Sequence, residues 1–273
     1  MTISIIIAAY NCEGYIERCL NSLVLQIGAD LDIVVVNDGS TDGTGKVLEK
    51  YRDRVRVKTT ENRGSSAARN AGIELAQGDY IMFLDSDDWL SEGTVERLSG
   101  EIGKTGADIV KFRYQAVYPD GRTLCDENQF DTYEIVEKPD FKKRLYPYFI
   151  RGIRLNSVWS GIYRAELIKG RTFREDMRVA EDAVFSLGTY TLAQKAVLIP
   201  DILYNYYQTG TGLTGSGVKL LNKYRCNFLF ASETVKCLKA WGMDGVFTRI
   251  RVYLRPLFLT FDKIRRLLRS NTH

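Results

Sequence analysis

Histidine is almost missing from this chain: of 273 residues, only His273 carries an imidazole. That excludes Ser-His-Asp triads, H-E-x-x-H zinc sites and Cys-His proteases. Any general base working near neutral pH must be a carboxylate, a lysine, a tyrosine or a cysteine. Long apolar runs are missing too, so no segment reads as bilayer-spanning, and Thr2 to Ala9 lacks the basic start of a signal peptide. The five cysteines (Cys12, Cys19, Cys125, Cys226, Cys237) are odd in number and show no C-x-x-C spacing. Free thiols in a reducing, cytoplasmic compartment are expected rather than a disulfide framework or zinc site. A net charge of +4 is too small to imply nucleic acid as a partner.

What is present is patterned. Ile3 to Ile7 and Leu31 to Val36 are β-branched runs of the kind that strands take when buried on both faces. Val55 to Lys58 and Tyr80 to Leu84 read as further strands. Between them, Gly14 to Gln26, Asp42 to Tyr51, Ser65 to Ala76 and Ser91 to Lys104 carry helical patterning. Asp42 and Ser91 are expected N-caps and Gly78 an expected C-cap. Strand and helix alternate, which predicts an α/β domain with a mostly parallel sheet and a ligand site beyond the carboxyl ends of its strands. Asp126 to Lys138 reads as an acidic loop, and the chain reads as helical from Val218 to its end.

The polar residues gather at those strand ends. Ala9-Tyr10-Asn11 closes the first, Asn37-Asp38-Gly39-Ser40 the second, and Asp85-Ser86-Asp87-Asp88 the fourth. Three carboxylates within four positions repel one another. Either they flank a hard cation, Mg²⁺ or Mn²⁺, or they form a solvated turn with Asp88 capping the next helix. Gly39 to Val47 imitates a phosphate loop but fails it, since five residues separate Gly39 from Gly45 and Val47 follows Lys46.

Four stretches then carry a resemblance: Ser4-Ile-Ile-Ile-Ala-Ala-Tyr-Asn11, Val34-Val-Val-Asn-Asp-Gly-Ser-Thr-Asp42, Asn62-Arg-Gly-Ser-Ser-Ala-Ala-Arg-Asn-Ala-Gly72 and Phe83-Leu-Asp-Ser-Asp-Asp88. In this order and spacing they resemble a family-2 glycosyltransferase of the GT-A fold, bacterial and of the polysaccharide or lipopolysaccharide type. The resemblance implies a Rossmann-like sheet flanked by helices with a helical C-terminal region. It implies a donor-binding domain over 1–110, an acceptor-binding and catalytic-base region over 111–215, and a helical region over 216–273 for membrane or dimer contact. The implied activity is inverting, metal-dependent transfer of a hexosyl-type sugar. The donor is a nucleotide-diphosphate sugar, UDP-linked, and the acceptor a glycan or lipid-linked saccharide in cell-surface polysaccharide synthesis.

By the same resemblance, Ala9, Tyr10, Asp38, Asn62, Gly64, Arg69 and Asp85 bind the donor, with Tyr10 packed on the base and Asp38 accepting from the pyrimidine ring. Asp87 and Asp85 hold Mg²⁺ or Mn²⁺. Val179-Ala-Glu-Asp-Ala-Val-Phe185 matches a Glu-Asp motif in which Asp182 is the base and Glu181 its acceptor-side neighbour. Trp159 stacks on a sugar or packs in the core. The chain departs from the family pattern in lacking a lysine near Ser160 or Gly161. Tyr204 to Tyr207 and the glycine-rich Thr209 to Gly217 resemble a lid over the donor. A nucleotidyltransferase is disfavoured because Ala8 to Asn11 offers no Lys- or Arg-bearing loop. A non-catalytic sugar-nucleotide binder is disfavoured by the intact Asp38, Asp85, Asp87 and Asp182. From Arg249 to Arg269, basic residues interleave with apolar ones, as in a helix lying on an anionic membrane face or packing on the protein body or a second copy.

Overall fold

The computed structural model describes residues 1–125, 130–151, 155–208 and 220–255. In chain order the elements are β1 (Thr2–Ala9), α1 (Ile16–Val24), β2 (Asp30–Asp38), α2 (Thr44–Glu49), β3 (Arg56–Thr60), α3 (Ser65–Leu75), β4 (Tyr80–Asp85), β5 (Trp89–Leu90), α4 (Thr94–Thr105) and β6 (Ile109–Val117). There follow β7 (Thr123–Cys125), β8 (Glu134–Glu137), α5 (Phe141–Arg144), α6 (Tyr146–Arg151), β9 (Gly161–Arg164), α7 (Ala165–Ile168), α8 (Glu181–Leu192), β10 (Lys195–Tyr207) and α9 (Leu220–Ala240).

One ten-stranded sheet runs β3-β2-β1-β4-β9-β6-β10-β5, with β7 and β8 pairing β6 and β10. The β3-β2-β1-β4 end is parallel, as continuous apolar strands require. Beyond β4 the direction reverses: β9 lies antiparallel between β4 and β6, pairing Ile81 with Tyr163 and Lys111 with Gly161.

Both faces are covered. Ile6, Ile81 and Phe83 look toward α8 and α9, while Ile5, Ile7, Val35 and Leu84 look toward α1 and α4. Full burial of each such side chain contributes about 1.5–3 kcal/mol relative to exposure. Helix α3 lies close against β1, since a Cβ on Gly72 would overlap Ile6 Cγ2. That closeness aims Arg69, three residues earlier, back at the strand ends.

Several local expectations change. Helix α3 ends at Leu75, and Gly78 instead lies against β1, donating its N–H to Ser4 Oγ at 2.8 Å. Helix α4 starts at Thr94 after Gly93, not at Ser91, because Trp89 and Leu90 first pair with β10. Asp42 still binds the Thr44 N–H at 3.0 Å, although α2 begins only after Gly43. The expected acidic loop contains the edge strand β8. The C-terminal helix breaks at 241–245 before a second helical stretch, 246–255. The glycine-rich lid segment and the tail beyond Arg255 lie outside the described residues. All five cysteines are free.

Candidate active site

The ends of β1, β2 and β4 share one edge of the sheet, and the sequence-expected polar residues converge there. Asp38, at the end of β2, is 3% exposed and fully engaged. Its carboxylate accepts the N–H groups of Gly64 at 2.7 Å and Arg63 at 3.0 Å. Gly64 adopts φ +95°, a conformation that only glycine takes without strain. Asn62 stands exposed in the same loop. Ala9 is buried, whereas Tyr10 is 48% exposed and free to face a flat ligand. The following Asn11 takes φ +45° and ties β1 to the next loop through Ser40 and Thr41.

Arg69 joins the two halves of the site. It is 7% exposed rather than solvated. Its guanidinium donates to Asp85 Oδ1 at 2.8 Å and to Asp182 Oδ1 at 3.1 Å, with Glu181 Oε1 3.6 Å away. Asp85 ends β4 and Asp182 lies in the first turn of α8, so one planar cation fixes the distance between the tip of β4 and the start of α8. Ala180, at φ +64°, turns the chain into α8 and places Glu181 and Asp182 in its first turn. Burial drives the Asp182 carboxyl up to about 7, against the lowering pull of Arg69. Its side chain keeps 19% of its surface open, so the group can still meet a substrate.

The three carboxylates of the β4 tip part company. Asp88 turns inward, 0% exposed, accepting Tyr204 Oη at 2.6 Å and the Tyr207 N–H at 2.7 Å. It therefore caps no helix. Burial and the neighbouring Asp85 and Asp87 raise its pKa. Asp87 has no cationic side chain in ion-pair range among the described residues. Burial and then Asp85 push its carboxyl up to about 6. Behind it, Arg18 donates to the Asp87 carbonyl at 2.9 Å while its guanidinium lies 3.9 Å from the Trp89 ring and 4.2 Å from that of Tyr207.

Among the described residues, no group of three or more His, Cys, Asp or Glu could hold a metal. Two adjacent carboxylates remain at the open edge, one of them without a counter-cation. That donor set fits a Mg²⁺-type ion, which takes one or two carboxylates and fills its remaining positions with phosphate oxygens and water.

Trp159 stacks on Tyr206 at 5.5 Å and 4°, and packs edge-on to Tyr114 at 4.7 Å. This half-buried aromatic wall follows Val158, whose N–H points at Asp182.

Sequence reading missed Lys111. It is wholly buried on β6, directly across from Gly161, and its Nζ donates to the Ser157 carbonyl. A lysine thus faces Gly161 from the neighbouring strand. Its signal was a charge inside the apolar run Ile109-Val110-Lys111-Phe112. Tyr204 to Tyr207, expected in a lid over the donor, instead end β10, with Tyr204 wholly buried against Asp88. Arg18 and Asp88's inward role were also missed; nothing local marks them.

This arrangement belongs to a sugar-transferase family: residues 4–169 match the model of glycosyl transferase family 2, and the chain is a member. EpsJ of Bacillus subtilis, described as an uncharacterized glycosyltransferase, is 37% identical over 218 residues, 78% of this chain and 62% of the relative. TarS of Staphylococcus aureus, a poly(ribitol-phosphate) β-N-acetylglucosaminyltransferase, is 30% identical over 219 residues, 77% of this chain and 36% of that protein. The crystal structure of TarS residues 1–349 with UDP-GlcNAc superposes with a TM-score of 0.72 at 28% identity, covering 85% of this chain and 66% of that one. The fold is accordingly the GT-A arrangement. The chain spans about six tenths of the length of the first relatives it matches.

Proposed function

We propose that this chain is an inverting, metal-dependent glycosyltransferase that moves a sugar from a UDP-sugar to a hydroxyl of a glycan or lipid-linked saccharide during cell-surface polysaccharide synthesis. The observation that carries the reading is Arg69, bonded at once to Asp85 on the donor strand and Asp182 on the base helix. The TarS complex with UDP-GlcNAc supports the donor class, and the TarS acceptor supports the polymer class. Residues 1–110 bind the donor, 111–215 carry the acceptor contacts and base, and the described helices within 220–255 belong to an accessory region.

In the reaction the acceptor hydroxyl gives its proton to Asp182. Its oxygen bonds to the anomeric carbon from the face opposite the diphosphate, the C–O bond to the diphosphate breaks, and the electron pair leaves on UDP. An acid–base group poised near 7 is matched to this work at neutral pH. Tyr10 offers a face to the base, and the Asp38–Gly64 clasp holds the loop beneath it. Asp85 and Asp87 would hold Mg²⁺ or Mn²⁺, which when bound neutralises the leaving diphosphate. Trp159 walls the acceptor side.

The helical stretch 246–255 supports a membrane-surface role. Val246, Phe247, Ile250, Tyr253 and Leu254 are 41–88% exposed and recur with helical spacing, and Arg251 stands exposed among them. No described helix is long and apolar enough to cross a membrane.

The deciding experiment is calorimetric binding of UDP, UDP-GlcNAc, UDP-glucose and UDP-galactose with Mg²⁺, with Mn²⁺ and with chelator, followed by UDP release from each sugar. Absence of binding to all of them overturns the donor assignment.

A further inference from the structure

Lys111 is the one wholly buried lysine among the described residues. A charge inside a sheet is costly unless its surroundings use it; burial outweighs the upward pull of Asp182 and leaves this ammonium lowered to about 7. Its cross-strand partner is Gly161, where a Cβ would sit 2.9 Å from Tyr163 Oη and 3.2 Å from Lys111 Cδ, so the glycine keeps the space around the lysine uncrowded. Lys111 Nζ donates to the Ser157 carbonyl and lies 3.5 Å from Ser157 Oγ, which shares a 2.8 Å hydrogen bond with Ser160 Oγ. The same short segment presents the Val158 N–H to Asp182 Oδ2 at 3.4 Å and anchors its Val158 carbonyl to Tyr163 Oη at 3.1 Å. Lys111 therefore pins from below the turn that meets Asp182 from above.

We propose that Lys111 is a positioning residue for the base. Its buried ammonium, lying across from Gly161, fixes the Ser157–Ser160 turn against Asp182 and supplies a positive field there. The assignment rests on Asp182 being the base. The groups facing Asp182 are Arg69 from α3, Asp85 from β4, Glu181 from α8, Lys111 from β6 and Tyr163 from β9. Of these, Arg69 and Lys111 are the cations. Arg69 is shared with Asp85 and Glu181, whereas Lys111 has no carboxylate within ion-pair range among the described residues.

The test uses the full chain with aspartate 13C-labelled at its carboxyl groups, so that one readout needs no substrate. The resonance lost in Asp182→Asn marks Asp182. In Lys111→Met that resonance titrates at a pH higher by about half to one unit, because a cation and a hydrogen-bond anchor are both gone. UDP binding stays within about twofold, while UDP release from the best-hydrolysed UDP-sugar falls about tenfold in kcat with KM little changed. The transposed pair Lys111→Met with Gly161→Lys, which returns an ammonium from the opposite strand, recovers both titration and kcat. Should methionine at this position unfold the chain, Lys111→Gln keeps a donor without the charge and shows the same upward titration.

An unshifted Asp182 resonance in a folded variant overturns the proposal, as does a transposed pair that folds without recovering. Full turnover in Asp182→Asn overturns the base assignment instead, so the two failures are distinguishable.

Discussion

Asp38 and Asp87 are the same residue type on the same edge of the sheet, yet their surroundings are opposite. Asp38 closes β2 with two backbone N–H groups clasped by its carboxylate and almost no exposed surface. Asp87 follows β4 with a second carboxylate beside it and, among the described residues, no ion pair, only the weaker pull of Arg18 behind it. The first is a finished interaction that holds a loop. The second is unfinished, and an unfinished charge at a ligand edge marks where the protein expects something from outside. Asp182 stands between them, paired but still held near neutrality.

The largest test of this contrast is Asp182→Asn. Its shape is nearly native but it cannot take a proton, so turnover should fall on the order of 100- to 10,000-fold with UDP affinity unchanged in calorimetry. Near-native turnover would transfer the base role to Glu181.

Next, Asp87→Ala should weaken UDP binding in Mg²⁺ on the order of 10- to 100-fold, and chelator should add little to that loss. In the unsubstituted protein, cation-supported UDP affinity should fall as pH drops through about 6, where Asp87 gains its proton, and the variant should lose that dependence.

A smaller effect separates the two aspartates by stability. Asp38→Asn should lower the unfolding free energy by about 1–3 kcal/mol through its weakened backbone clasp. Asp87→Asn should raise it. A folded-state pKa lifted to about 6 means that the fold disfavours the charge. That penalty is absent below the unfolded value near 4, grows as pH rises, and is complete above 6. The gain in Asp87→Asn, about 1–3 kcal/mol at pH 8, should therefore vanish by pH 4. Denaturant melts of the ligand-free protein at both pH values check the two signs.

Smallest is the surface effect. Phe247→Glu with Ile250→Glu should reduce co-sedimentation with anionic vesicles at low salt and leave UDP release unchanged. Basic groups near such a surface contribute about 1 kcal/mol each, and salt screens them.

The parallel half of the fold was readable because its strands are buried on both faces and therefore written as unbroken apolar runs, Ile3 to Ile7 being the plainest. Tyr10, Asp38, Asp85 and Asp87 could be placed at one edge because strand ends concentrate polar residues, whereas Asp182 was singled out only through the family resemblance. What stayed hidden depends on partners far along the chain. Arg69 was expected at the donor, but its bond to Asp182, 113 residues later, was not. Asp88 looks like a helix cap until β10 supplies Tyr204 and Tyr207. Lys111 makes sense only once β9 pairs Gly161 against it.

The sheet order has a consequence during synthesis. Strand β4 is buried along Tyr80–Leu84 in the finished protein, flanked by β1 on one side and by β9 on the other. A nascent chain that has made β4 must therefore wait for Gly161–Arg164 before that edge is sealed. At about 5–20 residues per second the open interval lasts on the order of 4–16 s. Throughout it an apolar strand edge is available to any other chain on the same polysome. Expression at reduced temperature, or with holdase chaperones in excess, should accordingly raise the soluble fraction more than substitutions on the finished surface do.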